Sequence, residues 1–177
     1  QQALYWCDRY EELVHKYERL YSADEDYIDK QLARCSIYRA TALVSLGQSQ
    51  ESYLAYLDFR NTKFSKSPEG IYDAGEYLIE AKQWKDAAVC FQRLDELVNK
   101  YRMEFSIENL ETYYLKKYEA NLKAGRKDSV YAISTFICDS LSVAIDRARA
   151  DNAAELATIY NTEQNETRLA ENKAKLM

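Results

Sequence analysis

Glycine and proline are scarce in this chain, because its 177 residues contain only 4 glycines and 1 proline. This scarcity excludes collagen-like proteins, low-complexity linkers and turn-rich β-sandwiches. Long apolar runs are also lacking, since none exceeds five residues (3–7, 53–57 and 87–91). A membrane-spanning helix needs about 20 apolar residues, so none is predicted here. No basic segment followed by an apolar stretch opens the sequence, so no signal peptide is predicted either.

Histidine is nearly absent, and the cysteines are few and far apart. A single histidine, His15, and the lack of a Cys-x-x-Cys pair exclude the usual zinc-binding spacings. Cys7, Cys35, Cys90 and Cys138 are interpreted as small buried hydrophobes with free thiols, although four cysteines leave three disulfide pairings open. No nucleophile–base pair is visible, so the sequence predicts no catalytic residue, no metal ligand and no cofactor.

The charge balance disfavours nucleic acid as a partner. With 24 basic and 29 acidic residues, the formal charge is −5, which repels phosphate backbones. The acidic run at residues 24–26 is interpreted as a helix start, where the helix dipole stabilises carboxylates. Glu76 and Glu80 lie one helical turn apart, and we interpret them as a solvated or groove-lining pair rather than as acid–base groups.

Helical periodicity dominates what is present. Tyrosine is abundant, with 16 residues, and suits helix–helix interfaces in which one end of the side chain stays wet. Apolar residues recur at three- and four-residue steps, and the expected helices cover residues 4–20, 24–46, 49–64, 68–81, 84–101, 106–125 and 127 onward. Their expected N-caps are Ser22 (in a capping box with Glu25), Ser49, Ser67 (followed by Pro68) and Ser106. Gly47 and Gly125 are expected to terminate helices.

A repeat relates the stretch from Ser49 to the stretch that begins at Trp84. Each carries a small residue, an aromatic residue and an apolar residue on one helix face, and the preceding segment places Gly75 for close packing. This pattern resembles the tetratricopeptide repeat (TPR) over about residues 25–140. The positions that match the packing pattern of the family are Gly47, Tyr56, Gly75, Trp84, Ala87, Phe91 and Gly125. An irregular helical bundle is the alternative.

The resemblance implies an all-α, TPR-like superhelix of antiparallel helix pairs with a long C-terminal helix. Residues 1–24 would form an N-terminal helix that packs on the array, residues 25–140 the repeats, and residues 141–177 a connector helix. The stretches 139–141, 154–157 and 159–166 are similar to the junction that follows TPR arrays in Bacteroidetes-type membrane histidine kinases. That similarity implies a non-catalytic, periplasmic sensor region, with the membrane reached only through segments absent from this chain. The alternatives are a free-standing or cytoplasmic TPR scaffold and the TPR part of a transcriptional regulator.

A concave face lined by the first helix of each pair is the expected binding surface. On the register above, it contains Ile37, Thr41, Tyr72, Glu76, Ile79, Leu115 and Glu119. The aromatic, apolar and acidic residues of this face suit a protein or peptide ligand. The C-terminal helix is a second expected contact surface, where a dimer partner would bind. TPR domains that clamp the carboxylate of heat-shock chaperones use Lys, Arg and Asn on this face, so that ligand is not expected.

Overall fold

The protein is all-α, as predicted from its sequence. The computed structural model describes residues 2–98 and 106–176, and within these residues no strand occurs. The chain divides into two compact units, Gln1–Ile133 and Ser134–Met177. The three predicted segments, with boundaries after residues 24 and 140, stay a prediction.

Short connections join the helices of the first unit. Its elements are α1 (Gln2–Tyr21), α2 (Glu25–Ser45), α3 (Ser49–Arg60), a 3-10 turn (Phe64–Lys66), α4 (Pro68–Glu80) and α5 (Trp84–Val98). Helix α6 consists of Ile107–Asn109, a π-helical turn at Leu110–Tyr114, and Leu115–Lys123. Helix α7 spans Lys127–Leu176, so the second unit is formed by its continuation beyond residue 133.

Two of the predicted N-caps are confirmed. Ser67 Oγ accepts the Gly70 N–H at 3.0 Å, and Pro68 is the first helical residue, where its missing N–H leaves no donor unpaired. Ser106 Oγ accepts the Asn109 N–H, also at 3.0 Å. The hydroxyls therefore satisfy backbone donors that have no partner inside the helix.

The other two predicted N-caps are wrong. Asp24, not Ser22, caps α2, because its Oδ1 accepts the N–H groups of Asp26 and Tyr27 at 3.0 Å. Ser22 adopts φ +46° in the preceding turn. Ser49 is already the first residue of α3, and the cap position before it makes no side-chain hydrogen bond. An acidic cap suits the helix N-terminus because charge and hydrogen bond act together.

Helix α3 ends four residues earlier than the sequence predicted, at Arg60 instead of residue 64. The reason lies in α2, whose Asp29 carboxylate accepts the N–H of Lys63 at 3.1 Å and the N–H of Phe64 at 2.8 Å. These bonds hold the segment in a 3-10 turn with Phe64 buried. The predicted end of the fifth helix, at residue 101, lies outside the described residues.

Helices α1 and α2, α2 and α3, α4 and α5, and α5 and α6 pack as neighbours in the chain, and the even-numbered helices also meet. Helix α2 contacts α1, α3 and α4, and α4 contacts α5 and α6. A Cβ added at Gly75 would lie 3.2 Å from the Phe91 ring, so α4 and α5 approach closely here. Ala87 is fully buried beside them, whereas Trp84 is half-buried.

The remaining repeat positions serve two different purposes. Tyr56 is buried, and its ring stacks on the Tyr77 ring with centroids 4.3 Å apart. Gly47 and Gly125 have φ of +76° and +75°, and an added Cβ would meet nothing within 4 Å. These glycines therefore end helices, as their left-handed backbone requires, instead of admitting a neighbouring helix.

The cysteines differ from one another in exposure. Cys7 and Cys35 are buried, Cys90 is half-buried and Cys138 is exposed, and all four are free thiols. The expectation of burial is therefore wrong for Cys138. Burial in an apolar neighbourhood raises the pKa of the Cys90 thiol.

One helix among the described residues is long and apolar enough to cross a membrane, judged by length and composition only. It is α7, over the stretch Lys127–Leu169. The sequence-based expectation relied on unbroken apolar runs, whereas here apolar residues are interspersed with small polar ones. The core helices of soluble proteins also meet this criterion, but such helices are mostly buried. In α7 only 6% of the 18-residue segment that meets it is buried.

Candidate functional site

A groove of the first unit runs between α2, α4 and α6. Its volume is about 570 Å³. We call it the α2–α4–α6 groove; its lining residues are Ile37, Tyr38, Thr41, Ala42, Ser45, Asp73, Glu76, Ile79, Glu80, Lys116 and Glu119. None of them belongs to α3 or α5, so the groove is built by alternate helices of the chain.

The structure brings five of the seven residues of the predicted concave face together in this groove. These are Ile37, Thr41, Glu76, Ile79 and Glu119. Tyr72 instead lines a smaller neighbouring groove of about 330 Å³. Leu115 lines neither of these grooves, and 46% of its surface is exposed.

Tyr72 nevertheless positions a side chain of the α2–α4–α6 groove. Its hydroxyl lies 2.9 Å from Glu76 Oε1 and 2.8 Å from the carbonyl oxygen of Thr112. Lys116 Nζ forms an ion pair with Glu76 and lies 3.1 Å from the same hydroxyl. Burial lowers the pKa of Lys116 and raises the pKa of Tyr72. The three side chains thus tie α4 to α6 and neutralise the charge of Glu76.

Three carboxylates of the groove, those of Asp73, Glu80 and Glu119, have no hydrogen bond or ion pair with another described residue. Asp73 is the most enclosed of them, and burial raises the pKa of its carboxyl above the usual value. The positive charge of Arg34 counteracts this shift, while Glu69 reinforces it. With its only lysine paired, the groove carries a net negative charge.

The rest of the lining offers apolar surface and few free polar groups. Ile37 is buried and forms the floor, and Ile79 is half-buried. Thr41 Oγ1 donates to the Ile37 carbonyl oxygen at 3.0 Å, and Ser45 Oγ donates to the Thr41 carbonyl oxygen at 3.2 Å. Since both hydroxyls are satisfied within α2, a ligand would meet methyl groups and carboxylates here.

Sequence reasoning missed Tyr38, Asp73 and Lys116. Asp73 precedes Glu76 by three residues, a spacing that places both on one helix face, so it could have been found. Lys116 precedes the predicted Glu119 by three residues, so the same spacing argument could have found it as well.

The remaining residues were compared with the side-chain groups that metal sites and catalytic sites need. Within residues 2–98 and 106–176, no group of three or more His, Cys, Asp or Glu side chains is placed to hold a metal ion. His15 is exposed on α1, with Nδ1 3.4 Å from Glu18 Oε2. Comparison with protein-family models, curated proteins and solved structures finds no match, so function is inferred from the geometry alone.

Proposed function

We propose that this chain is a non-catalytic binding module and that its α2–α4–α6 groove holds a positively charged peptide segment with apolar side chains. The single observation behind the proposal is the juxtaposition, in one groove, of apolar side chains with three carboxylates that have no partner in the described part of the chain. Lysine or arginine side chains would pair with Asp73, Glu80 and Glu119. Apolar side chains would rest against Ile37 and Ile79.

We also propose that the helix pairs stack in the TPR manner. In such an array the first helix of each pair lines the concave surface. The lining of the groove by α2, α4 and α6, with no contribution from α3 or α5, supports this arrangement. The close approach of α4 and α5 at Gly75 supports it as well, because TPR packing needs small residues at such points.

Two synthetic peptides test the peptide-binding proposal. The cationic probe is an amidated helical peptide carrying lysine and leucine on one face, and the anionic probe replaces each lysine by glutamate. Calorimetric titration of the full chain should give saturable binding of the cationic probe that weakens with added salt. The anionic probe should bind at least about tenfold more weakly, because its charges repel those of the groove.

One matched pair of variants locates the binding. Asp73→Asn keeps the size of the side chain and removes its charge, and should weaken the cationic probe by about five- to tenfold. Asp58→Asn makes the same change at an exposed position of α3 outside the groove, and should leave the affinity unaltered. Equal losses in the two variants would point to general charge attraction and would refute the proposed site.

A second candidate role is that of a sensor region of a membrane histidine kinase, in which the chain relays ligand binding through α7. The favouring observation is the length of α7, which spans 50 residues without a break. Exposed apolar side chains along it, such as Val143, Ile145 and Ile159, could contact a second copy. Under this proposal the chain lies in the periplasm; as a scaffold, it would lie in the cytoplasm.

A helix insertion tests the sensor proposal. With the chain fused ahead of a membrane helix and a histidine-kinase core, insertion of two residues near Asn161 should alter kinase output. The change is expected because each residue turns a helix by about 100°, so two inserted residues rotate the following part of the helix by about 200° relative to the part before them. Unchanged output, with circular dichroism showing an intact array, would contradict a mechanical role for α7.

A further inference from the structure

Two of the four cysteines meet at the interface of α1 and α2. Cys35 Sγ donates to the carbonyl oxygen of Cys7 at 3.1 Å, although 28 positions separate the two residues. Both residues are buried, with 9% and 2% of their surfaces exposed. Cys90 and Cys138 lie on α5 and α7 and make no such contact with either.

The paired cysteines also share a groove. Cys7 and Cys35 line an apolar groove of about 470 Å³, together with Trp6, Tyr10 and Leu13 of α1. The groove therefore leads a small molecule to the two residues that carry the thiols. The two thiols are also close enough for a side-chain hydrogen bond from Cys35 to act on the Cys7 sulfur.

We propose that Cys7 and Cys35 form a disulfide bond that joins α1 covalently to α2 when the chain meets a small-molecule disulfide such as oxidised glutathione. A thiolate of the pair attacks the small disulfide, so that a mixed disulfide forms and one thiol leaves. The second cysteine then attacks the protein sulfur and releases the other thiol. The two cysteines lose two protons and two electrons in total, and the small disulfide becomes two thiols.

The surroundings of the pair make this exchange slow at neutral pH. Burial raises the pKa of both thiols, that of Cys35 to about 11. Arg39 of α2 lowers these pKa values in part, while Asp8 and Glu11 of α1 raise them. The phenol of Tyr10 also faces Cys35. Because the thiolate is the reactive form, the exchange rate should rise about tenfold per pH unit between about pH 7 and 8.

The cross-link would stabilise the first unit. It would close a loop of 28 peptide units and so restrict the unfolded chain. For a protein of this size, the chain-entropy effect corresponds to a rise in Tm of about 7–14 °C. Helix α1 would then no longer separate from α2 without unfolding of the unit.

Disulfide mapping tests the proposal on the full folded chain. After incubation with oxidised glutathione at about pH 8, non-reducing peptide mapping should show the peptide of Cys7 linked to the peptide of Cys35. The chain mass should fall by about 2 Da, and dithiothreitol should restore it. The variant carrying Cys90→Ser and Cys138→Ser should form the same link, with the same rise in Tm. Cys35→Ser should form no intramolecular link.

A parallel incubation in urea supplies the reference for random pairing. If the folded chain gives the same mixture of links as the unfolded chain, the proposal is overturned. Persistent free thiols, glutathione adducts that do not resolve, or links between chains in the Cys90→Ser/Cys138→Ser variant would overturn it as well. None of these outcomes bears on peptide binding, so this inference stands or fails independently of the proposed function.

Discussion

Asp73 holds a charge that no side chain in residues 2–98 or 106–176 pairs with directly. Its carboxyl is half-buried in the α2–α4–α6 groove, and burial raises its pKa even though Arg34 opposes the shift. A residue kept in this state destabilises the folded chain slightly and suits a ligand that supplies the missing positive charge. Glu76 contrasts with it, because Lys116 and Tyr72 already satisfy that carboxylate.

Asp73→Asn should therefore stabilise the free protein while it weakens the cationic probe. The raised pKa means that the folded state binds a proton more readily than the unfolded state, so the charged form costs stability above the folded pKa. At neutral pH the variant should gain up to about 1 kcal/mol in the free energy of unfolding. This advantage should shrink as the pH falls through the folded pKa, where wild-type Asp73 becomes neutral. Urea unfolding at several pH values measures it, and a loss of stability at neutral pH would contradict this account.

Single residues also decide how well helix ends can be predicted from sequence. The N-caps Ser67 and Ser106 were predictable because serine is a preferred residue just before a helix, where its hydroxyl accepts the N–H three residues on. At the start of α2, Asp24 is the N-cap instead of the predicted Ser22, because its carboxylate accepts two N–H groups at once. The early end of α3 was not predictable, since it depends on Asp29, which is about 35 positions away along the chain.

At the scale of elements, a buried hydroxyl pair connects three helices. Ser52 of α3 is fully buried; its Oγ donates to the Ala40 carbonyl oxygen of α2 at 2.8 Å and lies 3.1 Å from the Tyr77 hydroxyl of α4. The small serine thus satisfies its own polar atom and that of Tyr77. The contact joins the first helix pair to the next one, and so helps to place α2 beside α4.

Ser52→Ala should lower the free energy of unfolding by about 1–3 kcal/mol, because the buried Tyr77 hydroxyl loses its partner. Tyr77→Phe in the same background should cost less than it does alone, so the two effects should be non-additive. Ser49→Ala is the matched control on the same helix: exposed and without a cap bond, it should change stability by less than about 0.5 kcal/mol. Chemical denaturation of the four variants supplies these values, and additive losses would exclude the coupling.

The faces of α2 and α4 were predictable from residue spacing, and the face of α6 only in part. On α2 and α4 the spacing placed Ile37, Thr41, Glu76 and Ile79 correctly on one side, and all four line the groove. On α6 the same procedure placed Glu119 correctly but chose Leu115, which precedes it by four residues, where Lys116, which precedes it by three, lines the groove. The net charge of the groove could not be predicted from the sequence either, since the ion pair of Glu76 with Lys116 arises from packing between two helices.

At the scale of the whole molecule, the two units differ in how much of their surface is buried. The first unit has a core of aromatic and small residues, among them Phe59, Tyr77 and Phe91. In the second unit, every described side chain from residue 145 to residue 169 is exposed. A helix that buries so little has only its backbone hydrogen bonds and local side-chain pairs to stabilise it.

Hydrogen exchange should reflect this contrast. In the free chain, amides at residues 147–169 should exchange with protection factors below about 100, while amides in the middle of α4 should exchange only on global unfolding. Mass spectrometry of peptic fragments resolves the two segments. Strong protection of residues 147–169 in dilute solution would contradict the expectation. Protection that grows with protein concentration would instead demonstrate pairing between copies.

Mapping the cationic probe onto the first unit by NMR tests the central claim most directly. With the amide signals assigned, saturating probe should shift the resonances of Thr41, Asp73, Ile79 and Glu119 and leave those of Leu54 and Val89, on α3 and α5, in place. At equal probe concentration, the shifts should be smaller with Asp73→Asn and much smaller with the anionic probe. Shifts centred on α3 and α5, or no saturable shift at the groove, would show that alternate helices do not form a recognition surface.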